Sequence, residues 1–100
     1  MRLGKVVGTV VATQKSESLV GGKLLMVQDL DPVTMTPKDS YTVAYDTVGV
    51  GAQAGEVVLT VAGSSARLTD QTKDKPIDTA IIAIVDCVEL RGRVVYHEGR

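Results

Sequence analysis

Apolar and polar positions alternate along much of this chain with the two-residue period of a β-strand. In SYTVAYD, residues 40–46, Tyr41, Val43 and Tyr45 share one face. The same pattern predicts five main strands: Leu3 to Thr13, Lys23 to Asp29, Ser40 to Asp46, Glu56 to Ala62 and Thr79 to Glu89. A short tail strand, RVVYH, is expected after a turn at Arg91–Gly92. Polar or breaker-rich stretches separate these runs: QKSESLVGG, then DPVTMTPKD with Pro32 and Pro37, then VGVGAQAGE, then DQTKDK before Pro76. Helical periodicity is absent, apart from room for single turns near Ser64 to Leu68 and Pro76 to Thr79. Gly8, in the middle of the first strand, predicts a bulge or sharp curl.

Five strands with a curled first strand and long loops predict an all-β fold: a small five-stranded OB-like β-barrel with at most short helical turns. One hundred residues make this a single domain, residues 1–100. A β-sandwich would want more strands. Two strands resist a monomer. In the fifth, Ile82, Ile84 and Val88 face one way and Ile81, Ala83, Val85 and Cys87 the other. In the first, Val6, Val10 and Ala12 oppose Leu3, Val7 and Val11. A barrel buries only its inner face, so the outer apolar face needs a cover. With no amphipathic helix in the pattern, a second copy of the chain is the simplest one, and a homo-oligomer is expected.

Charge narrows the partners. Eleven basic and 12 acidic side chains nearly cancel, and three tyrosines are the only aromatics. Single-stranded nucleic acid is held by a basic groove and stacked aromatics, so no nucleic-acid partner is expected. Tyr41 and Tyr45 are the one possible stacking platform, and an inward, core-filling role accounts for them more simply. Cys87 is the single cysteine, which excludes an internal disulfide; within AIIAIVDCV it reads as a small buried hydrophobe of a reducing compartment. Gly4 and Lys5 interrupt any signal-peptide core, and no apolar run approaches the ~20 residues of a membrane helix. The expectation is a soluble cytosolic protein with no membrane partner.

Candidate chemistry is sparse. VAGSSAR, residues 61–67, ends a strand in small residues followed by an arginine. Such a stretch can cradle a phosphate, present a nucleophilic serine or let another backbone approach closely. Ser64 and Ser65 lack a G-x-S-x-G elbow. The one histidine, His97, lies near the end of the sequence, and a serine without a positioned base is a weak nucleophile. Gly49, Gly51 and Gly55 miss the G-x-G-x-x-G spacing, because position 54 is alanine, and a strand rather than a helix follows. A tight loop needing positive φ explains those glycines better. Asp86, inside an apolar strand, is expected to be buried and therefore paired, with Arg67 as the candidate cation within the chain or across an interface. No ligand spacing supports a metal. No catalytic residue, cofactor or metal is expected, and the chain reads as a non-enzyme.

Five motifs then occur in register: KLLMVQ (23–28), AYDTVGVG (44–51), GEVVL (55–59), GSSAR (63–67) and PIDTAIIAIVD (76–86). Together they resemble the bacterial microcompartment vertex proteins of the carboxysome and ethanolamine-utilisation (EutN/CcmL) type, over about residues 1–90. The resemblance implies an OB-like barrel assembled as a homopentamer. Such pentamers sit at the corners of an icosahedral shell in the cytoplasm and meet hexameric shell proteins of another fold. On that reading Gly63, Ser64, Ser65, Ala66, Arg67 and Asp86 belong to a subunit or shell interface, and GSSAR is close-approach packing beside a charged anchor. Gly49, Val50 and Gly51 form a loop at the pore or axis. The chain departs from the family in Val50, where alanine is common, in two extra residues before Glu56, in Val57 and in Ala83. The competing reading is an OB-type module that binds nucleic acid or another ligand; a small enzyme is the third.

Overall fold

In a computed structural model of the chain, residues 1–12, 22–46, 51–63 and 78–98 are described. Strands β1 (Arg2–Val10), β2 (Lys23–Leu30), β3 (Pro37–Asp46), β4 (Val57–Ala62) and β5 (Thr79–Ile84) close a barrel in the order β1-β2-β3-β5-β4. Its neighbours are antiparallel except β3 and β5, which run parallel through Tyr45↔Ala80 and Asp46↔Ile81. Strands β6 (Cys87–Leu90) and β7 (Arg93–His97) form a separate hairpin. The described residues contain no α-helix. The five-stranded barrel is closed, and the short β3–β5 pairing is what closes it.

The core follows strand alternation. Val6, Leu25, Val27, Ala44, Val58 and Ile81 point inward, joined by Ala52 from the loop before β4 and flanked by Ile84. Each fully buried aliphatic side chain of valine size or larger contributes about 1.5–3 kcal/mol. Gly4 keeps β1 close to β2: a Cβ there would overlap Val27 Cγ1 and lie 3.2 Å from the Gln28 carbonyl oxygen.

Bulges on β1 and β5 reassign faces in the barrel wall. The β1–β2 register shifts between Val6 and Gly8, so Val7 is the extra residue, in the region where Gly8 signalled a curl. In the β4–β5 ladder Leu59 faces Ala83 but Thr60 faces Ile81, which makes Ile82 the extra residue. A bulge reverses the parity beyond it. Ile81 and Ile84 therefore both serve the inner face, against the simple alternation the sequence predicts.

Other expectations also change. The fifth strand does not run on to Glu89. Val85 N donates to Val57 O (2.8 Å), and the chain then leaves the barrel at Asp86. Asp86 is exposed, not buried within an apolar strand, and Cys87 is exposed too. Both lie past the point where the barrel has closed, so no second layer covers them. Tyr41 does not fill the core: it faces outward and is 56% exposed, as Val43 is at 43%. Tyr45 is buried, but against Leu24, Val61 and Ala80 on the outer face of the barrel. Part of that outer face is thus covered from within the chain. Strand β3 starts at Pro37 rather than Ser40; a proline fits as the first residue of a strand because its missing N–H breaks no ladder.

Candidate assembly surface

The loop carrying Gly51 is held by a buried carboxylate. Asp46 ends β3 with no exposed surface, and its Oδ2 accepts a hydrogen bond from Ala52 N at 2.8 Å. Lys23, opposite Asp46 in the β2–β3 register, places Nζ 4.0 Å from Oδ2 and donates to Ala52 O at 3.2 Å. Asp46 Oδ1 has no hydrogen-bond partner among the described residues. Burial pushes the Asp46 carboxyl above its ordinary range, with Glu56 adding to the rise, while the Ala52 N–H and Lys23 pull the other way. Seating Ala52 in the core fixes one end of the loop, and Gly51 beside it has φ 64°, a conformation that favours glycine. Gly49 and Val50, the rest of the expected axis loop, lie outside the described residues.

Gly63 follows β4 with φ 66° and donates its N–H to Asp78 O at 2.6 Å. This bond ties together the two ends of the connection that contains GSSAR. Ser64, Ser65, Ala66 and Arg67 lie outside the described residues. Gly63 and Asp86 are not brought together: they flank opposite ends of β5, roughly 20 Å apart along a six-residue strand. As an exposed carboxylate, Asp86 does not require the cation that burial would have demanded.

Two surface features stand out on the described residues. Val7, Tyr41 and Val43 form exposed apolar surface on β1 and β3, with the half-buried Met26 of β2 paired to Val43 between them. Val7 points outward because it follows inward-facing Val6, and the bulge changes the faces only of Gly8 and the residues after it. The second is a groove of about 610 Å³ beside Leu3, Leu30 and Leu59. At its edge Asp29 Oδ2 accepts a hydrogen bond from Ser40 Oγ (2.9 Å) and pairs with Arg2 Nη1 (3.4 Å). Among the described residues no three His, Cys, Asp or Glu side chains are placed to hold a metal ion. His97 Nδ1 lies 2.8 Å from Glu98 O. What the described geometry offers is outward apolar surface, a tied-down loop and exposed charge.

Comparison with known proteins gives this arrangement a context. The carboxysome shell vertex protein CcmL of Synechococcus elongatus is 46% identical over 96 residues, 96% of this chain and 94% of that protein. The structure of Gloeobacter violaceus CcmL superimposes with a TM-score of 0.90 at 40% identity, covering 100% of both chains. The GrpN pentameric microcompartment shell protein from Rhodospirillum rubrum superimposes with a TM-score of 0.78 at 50% identity, over 90% of this chain and 99% of that one. The family described as ethanolamine utilisation protein EutN/carboxysome matches residues 1–86, and this chain belongs to it.

Proposed function

We propose that this chain is the vertex subunit of a bacterial microcompartment shell in the cytoplasm. Five copies form a ring that occupies a five-fold corner, and the ring's outer edges meet hexameric shell proteins. The observation that carries the reading is the near-full-length likeness to a pentameric shell protein at 50% identity. The exposed apolar surface at Val7, Tyr41 and Val43 supports it, because such surface on a barrel wall suits a subunit contact. The role is geometric and involves no catalysis or cofactor: hexagonal tiles alone make flat sheets, and curvature into a closed shell needs five-fold corners. On this reading Gly63, Ser64, Ser65, Ala66 and Arg67 form a contact segment, Asp86 is a charged interface residue, and Gly49, Val50 and Gly51 face the five-fold axis.

Native mass spectrometry of the purified protein tests the ring. Five copies of the 10.6 kDa chain give about 53 kDa. A monomer that persists across micromolar concentrations overturns the proposal.

A further inference from the structure

The hairpin of β6 and β7 pairs only with itself among the described strands. A lone two-stranded hairpin is marginal in water and needs a surface to pack on. Val88 lies beside Tyr96 and Leu90 beside Arg93, and the three non-arginine side chains are half-buried. Val94 and Val95 are not covered: they remain 50% and 36% exposed. The family match ends at residue 86, immediately before β6, so it assigns the hairpin no role.

Charge is unevenly spread along this hairpin, whose β6 also carries exposed Glu89 near the turn. Its turn carries Arg91 and Gly92, with φ of 54° and 79°, and Arg93 follows. Both arginines are exposed, and neither forms an ion pair with a described residue. Its base carries Asp86 and Glu98, joined by a hydrogen bond from Glu98 N to Asp86 O at 2.9 Å. The Glu98 carboxyl is raised above its ordinary range by a hydrogen bond to the Asp86 side chain, then by desolvation and by the charges of Asp86 and Glu56, with His97 opposing. The Asp86 and Glu98 carboxyls thus sit side by side, and neither forms an ion pair with a Lys or Arg among the described residues. Next to them lies a groove of about 470 Å³ with an apolar floor that includes Leu30, Met35 and Val57. Lys5 is the cation on its lining, against Glu56 and Glu98. The groove and its margin are thus acidic on balance.

A chain cannot satisfy its own pattern. The tip and base of the hairpin are separated by five-residue β7, roughly 15 Å. Another copy can do so, and a ring built from one repeated head-to-tail contact is the closed form such complementarity produces. We propose that the β6–β7 hairpin is an intersubunit arm, whose Arg91 and Arg93 dock at the groove of the next copy among Glu56, Asp86 and Glu98, with Val94 and Val95 covered there. The arm rests on the pentamer reading and adds the contact that closes the ring.

Charge exchange in the full chain tests it. One variant carries Arg91→Glu with Arg93→Glu, a second carries Asp86→Arg with Glu98→Arg, and a third carries all four. Native mass against dilution reads the ring, and circular dichroism reads the fold. Each double variant is expected to dissociate at a concentration about tenfold or more above wild type, because like charges then face each other at every contact. The fourfold variant is expected to recover the wild-type midpoint. Should a double variant lose its β spectrum, Arg93→Gln and Glu98→Gln decide instead, with weakening expected in the same direction. A wild-type pentamer indifferent to these changes, or a fourfold variant no better than the doubles, overturns the arm while leaving the pentamer intact. A wild-type monomer overturns the pentamer reading itself.

Discussion

Asp46 Oδ2 accepts the backbone N–H of Ala52 at 2.8 Å inside the barrel mouth, so one buried carboxylate pins the glycine loop to the end of β3. Asp46→Ala removes the acceptor and leaves a buried N–H unmatched. The expected loss is about 1–3 kcal/mol of folding stability, measured by denaturant titration. A loss near zero would mean that the loop is held by other contacts.

The same carboxylate sets a pH dependence. Its folded pKa lies above the ordinary 3.8, chiefly through burial. A proton is held more tightly folded than unfolded, so this contribution is fully present below 3.8 and is lost as pH rises through the raised value. Asp31 acts the other way. Its carboxylate accepts the N–H groups of Val33 (2.8 Å) and Thr34 (3.2 Å), which hold its pKa below 3.8, so its contribution disappears only below that pH. The windows do not overlap. Between pH 7 and 4 the wild type should gain stability relative to Asp46→Asn, and Glu98→Gln serves as the control for the other raised carboxyl. Parallel stability curves for wild type and Asp46→Asn over that range would contradict the assignment.

Gly22 lies under the buried ring of Tyr45, where a Cβ would overlap the ring atoms. Its φ is not in the left-handed region, so the objection to a side chain is steric alone. Gly22→Ala should destabilise the fold by about 1–3 kcal/mol, the usual range for overpacking. Thermal melts of wild type and variant provide the check. An unchanged melting temperature would show that the outer cluster yields freely.

The serines of GSSAR separate size from chemistry. If they are present because they are small, Ser64→Ala and Ser65→Ala lose about one hydrogen bond each, roughly 0.5–1.5 kcal/mol. Leucine at either position should be worse, at about 1–3 kcal/mol per contact, and that penalty recurs around the ring. Folded subunits without pentamers are the expected result for the leucine variants. If the alanine variants fail as completely, the hydroxyl and not the size of the residue is what counts.

The near-balance of charge and the shortage of aromatics predict no binding of single-stranded nucleic acid at physiological salt. Fluorescence anisotropy with labelled oligonucleotides is the measurement. Micromolar binding that weakens steeply with added salt would restore the OB-type binding module as the better reading.

Local pattern was enough for most of the barrel. Alternation located β2 and β4 to within a residue, and Arg91–Gly92 marked the turn of the hairpin. These features depend on neighbours in sequence: side-chain period, turn chemistry and the φ freedom of glycine. The five motifs likewise pointed to the family that residues 1–86 match. What alternation could not supply was the parity of each strand once a bulge intervened. Whether Val7 or Ile82 is the extra residue is decided by partners across the sheet, and each such decision turns every later side chain to the other face.

Burial of polar groups was equally a tertiary matter. Asp46 and Asp86 both sit beside apolar residues in sequence, and the pattern singled out Asp86 as the buried one. The barrel closes through Asp46↔Ile81 and seats Ala52 over that carboxylate, whereas Asp86 lies beyond the last barrel strand, in solvent. The sequence by itself located the barrel's strands, though not where β5 ends and β6 begins, and the family the chain joins, because both are carried by local periodicity and short motifs. Only the tertiary structure decided which face each residue serves and which carboxylate is enclosed, because those depend on where the sheet closes upon itself.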